Sequence, residues 1–287
     1  MISVLKHELR SAFHGLTFYL FCAALLCFVG VGAVYYNIEA SVANFEYVLE
    51  FVSIGLVVII PVLTMRSFAE ERKQKTDQLL YSLPLKTWQI VVGKYLSLVV
   101  MFLLPMAIVC VYPLIFSRYG EVYLPGAYGA LFAFFIMGAA LIAVGTFLSS
   151  LTDNQGFAAG IAIVVFLFNY YSVSLAEQVS STGYGSALAL CVIAVLIGFV
   201  VKALTRNAAI ALGVGGGLAV LTLAAYFVVP DRFEGLLPRI MEKLSLFDRL
   251  TTFVNGVFDL TALVFYASVI VLGLFLTVQS LEKRRYN

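Results

Sequence analysis

Apolar runs long enough to cross a bilayer recur along this chain, and they constrain its fold more than any motif does. A helix of about 20 apolar residues spans a hydrocarbon core, and eight such runs can be read: 18–36, 51–65, 95–116, 126–148, 156–176, 187–204, 208–229 and 260–278. The chain is 62% hydrophobic and 12% charged, against about 25% charge in soluble domains. The expected fold is therefore all-α: a polytopic membrane protein of about eight transmembrane helices, with residues 1–287 as one transmembrane domain. The first run has no small-x-small cleavage site and exceeds a signal-peptide core in length, so no cleaved leader is expected. The four cysteines (Cys22, Cys27, Cys110 and Cys191) lie in apolar runs without metal-ligand spacing and read as small buried hydrophobes.

Charge is confined to the connections, and its distribution orients the chain. Thirteen basic residues fall on one side: Lys6, Arg10, Arg66, Arg72, Lys73, Lys75, Lys86, Lys94, Lys202, Arg206, Lys283, Arg284 and Arg285. Five fall on the other: Arg118, Arg232, Arg239, Lys243 and Arg249. Because basic residues stay cytoplasmic, both termini and segment 66–94 are expected in the cytoplasm. Residues 1–14 read as an amphipathic interfacial helix, with Ile2, Leu5, Leu9 and Phe13 at helical spacing and Ser3, Lys6, His7 and Arg10 on other faces. Within the extracytoplasmic segment 230–259, Phe233, Leu236, Leu237, Ile240, Met241 and Leu244 repeat at three- and four-residue spacing, which predicts an amphipathic helix lying as a lid at the outer face before the last span. Pro105 and Pro113 predict kinks in the third span.

Segment 66–94 is the longest polar interruption on the cytoplasmic side, and it carries its own helical pattern. Residues 70–83 contain neither Pro nor Gly, and Pro84 stops the run. Glu71 and Lys75 form an i,i+4 pair in the favourable order, a contribution of about 0.2–0.5 kcal/mol. Leu79, Leu80 and Leu83 add an apolar patch near its end, suited to a groove on a partner or to the membrane surface.

The sequence FAEERKQKTDQLLYSLPLKTWQIVVGK resembles the first cytoplasmic loop of ABC type-2 transporter permeases, with Phe68, Ala69, Glu70, Glu71, Arg72, Thr76, Leu79, Leu80, Pro84, Gly93 and Lys94 matching. SSLTDNQ after the fourth span, and FDRLTTFVNGVFDL ahead of the last one, agree with it. It looks most like the subgroup of the gliding-motility-associated permease and the copper-processing permease of nitrous oxide reductase assembly. Lys75 stands where the family usually has glycine, and Asp77 and Gln78 replace its leucine and glutamate. The resemblance implies a coupling helix over 70–84, with Glu70, Glu71, Arg72, Lys73, Thr76, Leu79, Leu80 and Pro84 docking a cytoplasmic ATPase. It also implies two ATPase copies, a second permease chain as homodimer or heterodimer, and ATP and Mg held by the partner, with no cofactor on this chain. Since the family core has six spans, 187–229 reads as an inserted helix pair. The implied function is the permease subunit of an exporter in a prokaryotic cytoplasmic membrane, with no nucleic-acid partner.

Absent chemistry narrows the field. No phosphate-loop pattern occurs, since Gly93-Lys94 is followed by Tyr95 and Trp88 stands where the first Gly belongs. The two histidines, His7 and His14, precede the first span, and no His-Glu-x-x-His pattern exists, so neither a catalytic nor a metal site is expected. No acid or base falls mid-span in this reading, which argues against a proton antiporter. Asn169, Tyr170 and Ser172 in the fifth run are candidate path-lining residues; interhelical hydrogen bonds or an aromatic belt explain them equally. The alternatives are a non-transporting membrane scaffold or maturation factor, and a membrane-embedded transferase, which would need acid or histidine chemistry at a span end.

Overall fold

The computed structural model describes residues 2–74, 86–178, 184–192, 194, 198, 208–228 and 233–285, and every regular element among them is helical. In chain order these are α1 (Ile2–His14), α2 (Leu16–Ala33) continuing into a π-helical turn (Val34–Glu39), α3 (Glu46–Thr64), α4 (Arg66–Lys73), α5 (Thr87–Val109), α6 (Tyr112–Phe116) and α7 (Leu124–Leu151). They continue with α8 (Gln155–Tyr170), α9 (Ser172–Gln178), α10 (Ala208–Val228), α11 (Leu236–Leu244), α12 (Asp248–Val254) and α13 (Leu260–Arg285). Five stretches are long and apolar enough to cross a membrane: Leu16–Glu39, Glu46–Lys73, Thr87–Phe116, Leu124–Leu151 and Leu260–Lys283. They coincide with the first four expected spans and the last. The fifth expected span is broken: α8 has 16 residues, and the helix restarts as α9 after Tyr171. The seventh is α10, whose apolar part is Leu212–Phe227. Most of the sixth, 187–204, lies outside the described residues.

Two compact units make up the chain, one formed by Met1–Phe168 with Leu246–Asn287 and the other by Asn169–Ser245. In the first, α7 is the hub: it packs against α3, α4, α5, α12 and α13. Its apolar window is 72% buried in protein against 22% for α13, so α7 is the interior helix of the two among the described residues. Lipid tails are as apolar as leucine, so spans associate by close packing, and small residues permit it. α7 is built that way, with Ala127, Ala130, Ala133, Gly138, Ala139, Ala140, Ala143 and Gly145 all buried. A Cβ on Gly145 would meet Thr64 Oγ1 at 2.5 Å, and one on Gly273 would meet the Ala143 carbonyl at 3.1 Å. Gly145→Ala is therefore expected to destabilise the chain by about 1–3 kcal/mol through overpacking against α3, and Thr64→Gly in the same chain to recover most of it. Thermal unfolding of both variants in detergent checks this.

The prolines act unequally. α5 runs through Pro105 without interruption, and the chain turns instead at Cys110–Val111, ahead of Pro113 in the first turn of α6. The Cys110 carbonyl at that break accepts a hydrogen bond from Tyr128 Oη at 3.0 Å. The cysteines depart from expectation: Cys22, Cys110 and Cys191 are half-buried and Cys27 is exposed. Apolar helix faces need no protein cover where lipid supplies it.

The second unit contains the predicted amphipathic helix as α11, entered through Gly235 at φ +67°, a backbone conformation that glycine tolerates best. α11 packs against α9, with Leu237 buried. Within the same unit a Cβ on Gly215 would lie 2.9 Å from Gly198 Cα, and Cys191 Sγ lies 3.2 Å from Thr222 Oγ1. Those contacts set α10 against Cys191 and Gly198.

Candidate functional site

The polar stretch after α3 begins with a break at Met65 rather than with a loop. α4 follows α3 at once, so its first N–H groups lose their intrahelical acceptors, and Met65 provides no side-chain cap. A residue of α7 supplies one. Buried Ser149 Oγ accepts from the Phe68 and Ala69 N–H groups, both at 3.3 Å, and donates to the Met65 carbonyl at 3.1 Å. One hydroxyl thus caps α4 and ties the α3–α4 corner to the end of α7.

Arg72 reinforces the same junction. Its side chain is 3% exposed, Nη1 donates to the Ser150 carbonyl, and the guanidinium lies 3.9 Å from Asp153 Oδ1. Ser280 of α13 donates to that Ser150 carbonyl at 3.2 Å. The SSLTDNQ turn therefore clamps α4 from below, while Asn154 Oδ1 accepts the Gly156 N–H at 3.0 Å and opens α8. Phe68, Val91 and Leu281 form an apolar cluster beside it, covered by Leu274 and Val278.

The second fastening is Lys94. In sequence it closes the polar segment, but α5 starts at Thr87, which carries Lys94 about two turns into the helix. Its side chain is 2% exposed, and its three N–H donors are all used, on Glu8 Oε1 at 2.8 Å, Glu71 Oε1 at 2.7 Å and the Ser67 carbonyl at 2.9 Å. The ammonium also lies 5.2 Å from the centre of the Phe68 ring. One cation shared by two carboxylates joins α1, α4 and α5. A buried ammonium is tolerated only when paired and hydrogen-bonded in this way.

Among the residues assigned to docking, four are described. Arg72 is turned inward, and Glu71 is engaged by Lys94. Lys73 is exposed, while Glu70, with a third of its side chain exposed, lies 3.7 Å from Arg66 Nε. α4 runs from Arg66 to Lys73 with Gln74 in a turn, so the helix begins earlier than the expected 70–84, and residues 75–84 lie outside the described residues. Thr76, Leu79, Leu80 and Pro84 lie outside the described residues, as does Lys75. The candidate path residues sit in the second unit. Asn169 Nδ2 donates to the Leu244 carbonyl at 3.0 Å, Ser172 Oγ donates to the Asn169 carbonyl at 2.7 Å, and Tyr170 meets Tyr171 edge-on at 5.0 Å. Among the described residues no group of His, Cys, Asp and Glu is placed to hold a metal.

Sequence reasoning missed Glu8, Lys94 as a buried group, Ser149 and Ser150. Their partners lie 23 to 86 residues away, beyond the reach of any local spacing rule. One weak signal existed: Gly93-Lys94 and SSLTDNQ each carried the resemblance to the same kind of permease, and the fold brings both onto α4.

Residues 29–182, more than half of the 287, match the family model described as ABC-2 family transporter protein. The matched stretch contains α3, α4, α5 and α7, hence every fastening of α4 except Glu8 and the α13 side chains. Neither the curated proteins nor the solved structures contain a match to the chain.

Proposed function

The chain belongs to the ABC-2 transporter family and is a membrane transport subunit, and from that premise we propose that it is an exporter permease driven by ATP hydrolysed on a separate chain. Segment 66–94 is the docking site of that ATPase in this reading, on the cytoplasmic side, with two ATPase copies and a second permease chain completing the transporter. ATP and Mg belong to the partner.

The observation that carries the proposal is the fastening of α4. A short polar helix held to α7 by Ser149 and Arg72, and to α1 and α5 by Lys94, is a lever: displacing it displaces the spans. A solvated connection with no load to carry has no use for a buried ammonium. Nucleotide that binds the closed ATPase pair better than the open one biases α4, and through it the permease, between two states. Of the docking residues described, Lys73 and Glu70 face outward enough to be touched by a partner.

The purified chain is expected to hydrolyse no ATP, and the complex with its ATPase to do so. Glu70→Lys combined with Lys73→Glu is expected to weaken ATPase binding roughly tenfold by like-charge juxtaposition, leaving the fold intact because both side chains are peripheral. Co-purification of the ATPase at wild-type yield with that double variant would overturn the docking assignment. ATP-dependent flux in reconstituted vesicles separates an exporter from a non-transporting scaffold.

A further inference from the structure

α1 divides into three faces. Val4 and Glu8 turn toward α5, where Glu8 reaches Lys94. Phe13 is 40% exposed, and past the corner Leu16, Tyr19 and Leu20 at the start of α2 are 81%, 55% and 61% exposed, so apolar side chains of the first span lie beside the end of α1. The third face carries His7, Arg10, Ser11 and His14, at i, i+3, i+4 and i+7, around a recess of about 250 Å³.

Among the described residues no carboxylate lines the recess. The one acid on α1, Glu8, is held by Lys94 on another face. The Arg10 carbonyl, 2.7 Å from His14 Nδ1, orients the imidazole. A second guanidinium stands at the corner, where Arg66 Nη1 donates to Thr17 Oγ1 at 2.5 Å and Nε lies 3.7 Å from Glu70 Oε2. A guanidinium and a hydroxyl flanked by two imidazoles, next to exposed apolar side chains, are complementary to one occupant, a molecule with an anionic head and an acyl tail.

We propose that His7, Arg10, Ser11 and His14 form a binding site for the phosphate of an anionic phospholipid, whose acyl chains run along Phe13, Leu16 and Leu20. Because Glu8 of the same helix shares Lys94 with Glu71 of α4, lipid occupancy steadies the lever that the ATPase is proposed to move. The placement rests on the cytoplasmic reading of residues 1–14, since that leaflet carries the anionic lipid and its surface attracts basic segments.

The test is lipid retention by the full chain. The chain is exchanged into nanodiscs of phosphatidylcholine with phosphatidylglycerol, and the lipids left bound after extraction are counted by native mass spectrometry. Wild type is expected to keep phosphatidylglycerol in preference, Arg10→Gln to lower that retention about fivefold, and His7→Gln/Arg10→Gln/His14→Gln to abolish the preference. Arg118→Gln, which removes an exposed charge from the connection between α6 and α7, is expected to change nothing. All four side chains are exposed, and elution of each variant as wild type in gel filtration verifies folding. Equal retention by wild type and the triple variant, or an equal loss in Arg118→Gln, would overturn the proposal. Retention is read on the chain without its ATPase, so its outcome is separable from that of the docking experiment.

Discussion

Lys94→Met is expected to lower the thermal midpoint of the purified chain by on the order of 10 °C. Methionine keeps the length and apolar stem of lysine but removes the ammonium that Glu8 and Glu71 share. Glu8 and Glu71 both lose that ammonium, and Ser67 loses the donor to its carbonyl. Breaking a buried pair by deleting one partner costs about 3–5 kcal/mol, and each kcal/mol moves the midpoint of a chain this size by about 2–4 °C. Adding Glu71→Gln to Lys94→Met removes one of the two carboxylate charges that faced the ammonium and is expected to return part of the loss, a non-additivity that marks direct coupling. In the complex with the ATPase, the same variant is expected to separate ATP hydrolysis from transport, because α4 is no longer joined to α1 and α5. Unfolding of Lys94→Met at the wild-type temperature would show that the ammonium contributes nothing at this site.

Ser149→Ala is the second large effect. A single hydroxyl serves two N–H donors and one carbonyl at the α3–α4 corner, and all three are left without it when the oxygen is removed. Loss of a helix cap costs about 0.5–2 kcal/mol and a stranded buried polar group about 1–3 kcal/mol. Together they give an expected destabilisation of about 2–4 kcal/mol. Ser149→Thr retains the hydroxyl and is expected to retain most of the stability, whereas Ser149→Val, of similar shape without a donor, is not. Hydrogen exchange at the Phe68 and Ala69 amides reads the corner directly. Protection there that survives Ser149→Ala would mean that another acceptor caps α4.

Parts of this architecture were legible before any coordinates. Continuous apolar runs located five of the spans, because length and hydropathy suffice to mark a helix that crosses lipid. The three- and four-residue repeat over 233–244 marked α11, and the run of charge after α3 marked α4, since both patterns are local. The break of the fifth span at Tyr171 was not legible: Asn169, Tyr170 and Ser172 read as a polar patch within one span, since path lining, interhelical hydrogen bonds or an aromatic belt account for such residues without a helix end. Nor was the inward turn of Arg72. In sequence it is one more cation in EERK, and only the end of α7, reaching it through the Ser150 carbonyl, makes it an interior residue.

What the sequence by itself determined is therefore five of the spans, the amphipathic helix α11 and the family to which the chain belongs. Those follow from periodicity, from hydropathy and from the motif around Glu70 and Glu71. Tertiary structure decided which sides of those helices meet. A span that is apolar all round gives no hint of whether a face touches lipid or protein, for either satisfies it equally. Small residues let α7 become the hub, and its terminal Ser149 then falls beside Met65. Lys94 finds Glu8 because α1 folds back onto α5, a pairing across 86 residues. No local rule encodes it, and the cost of burying that ammonium makes the pairing obligatory once the helices have packed.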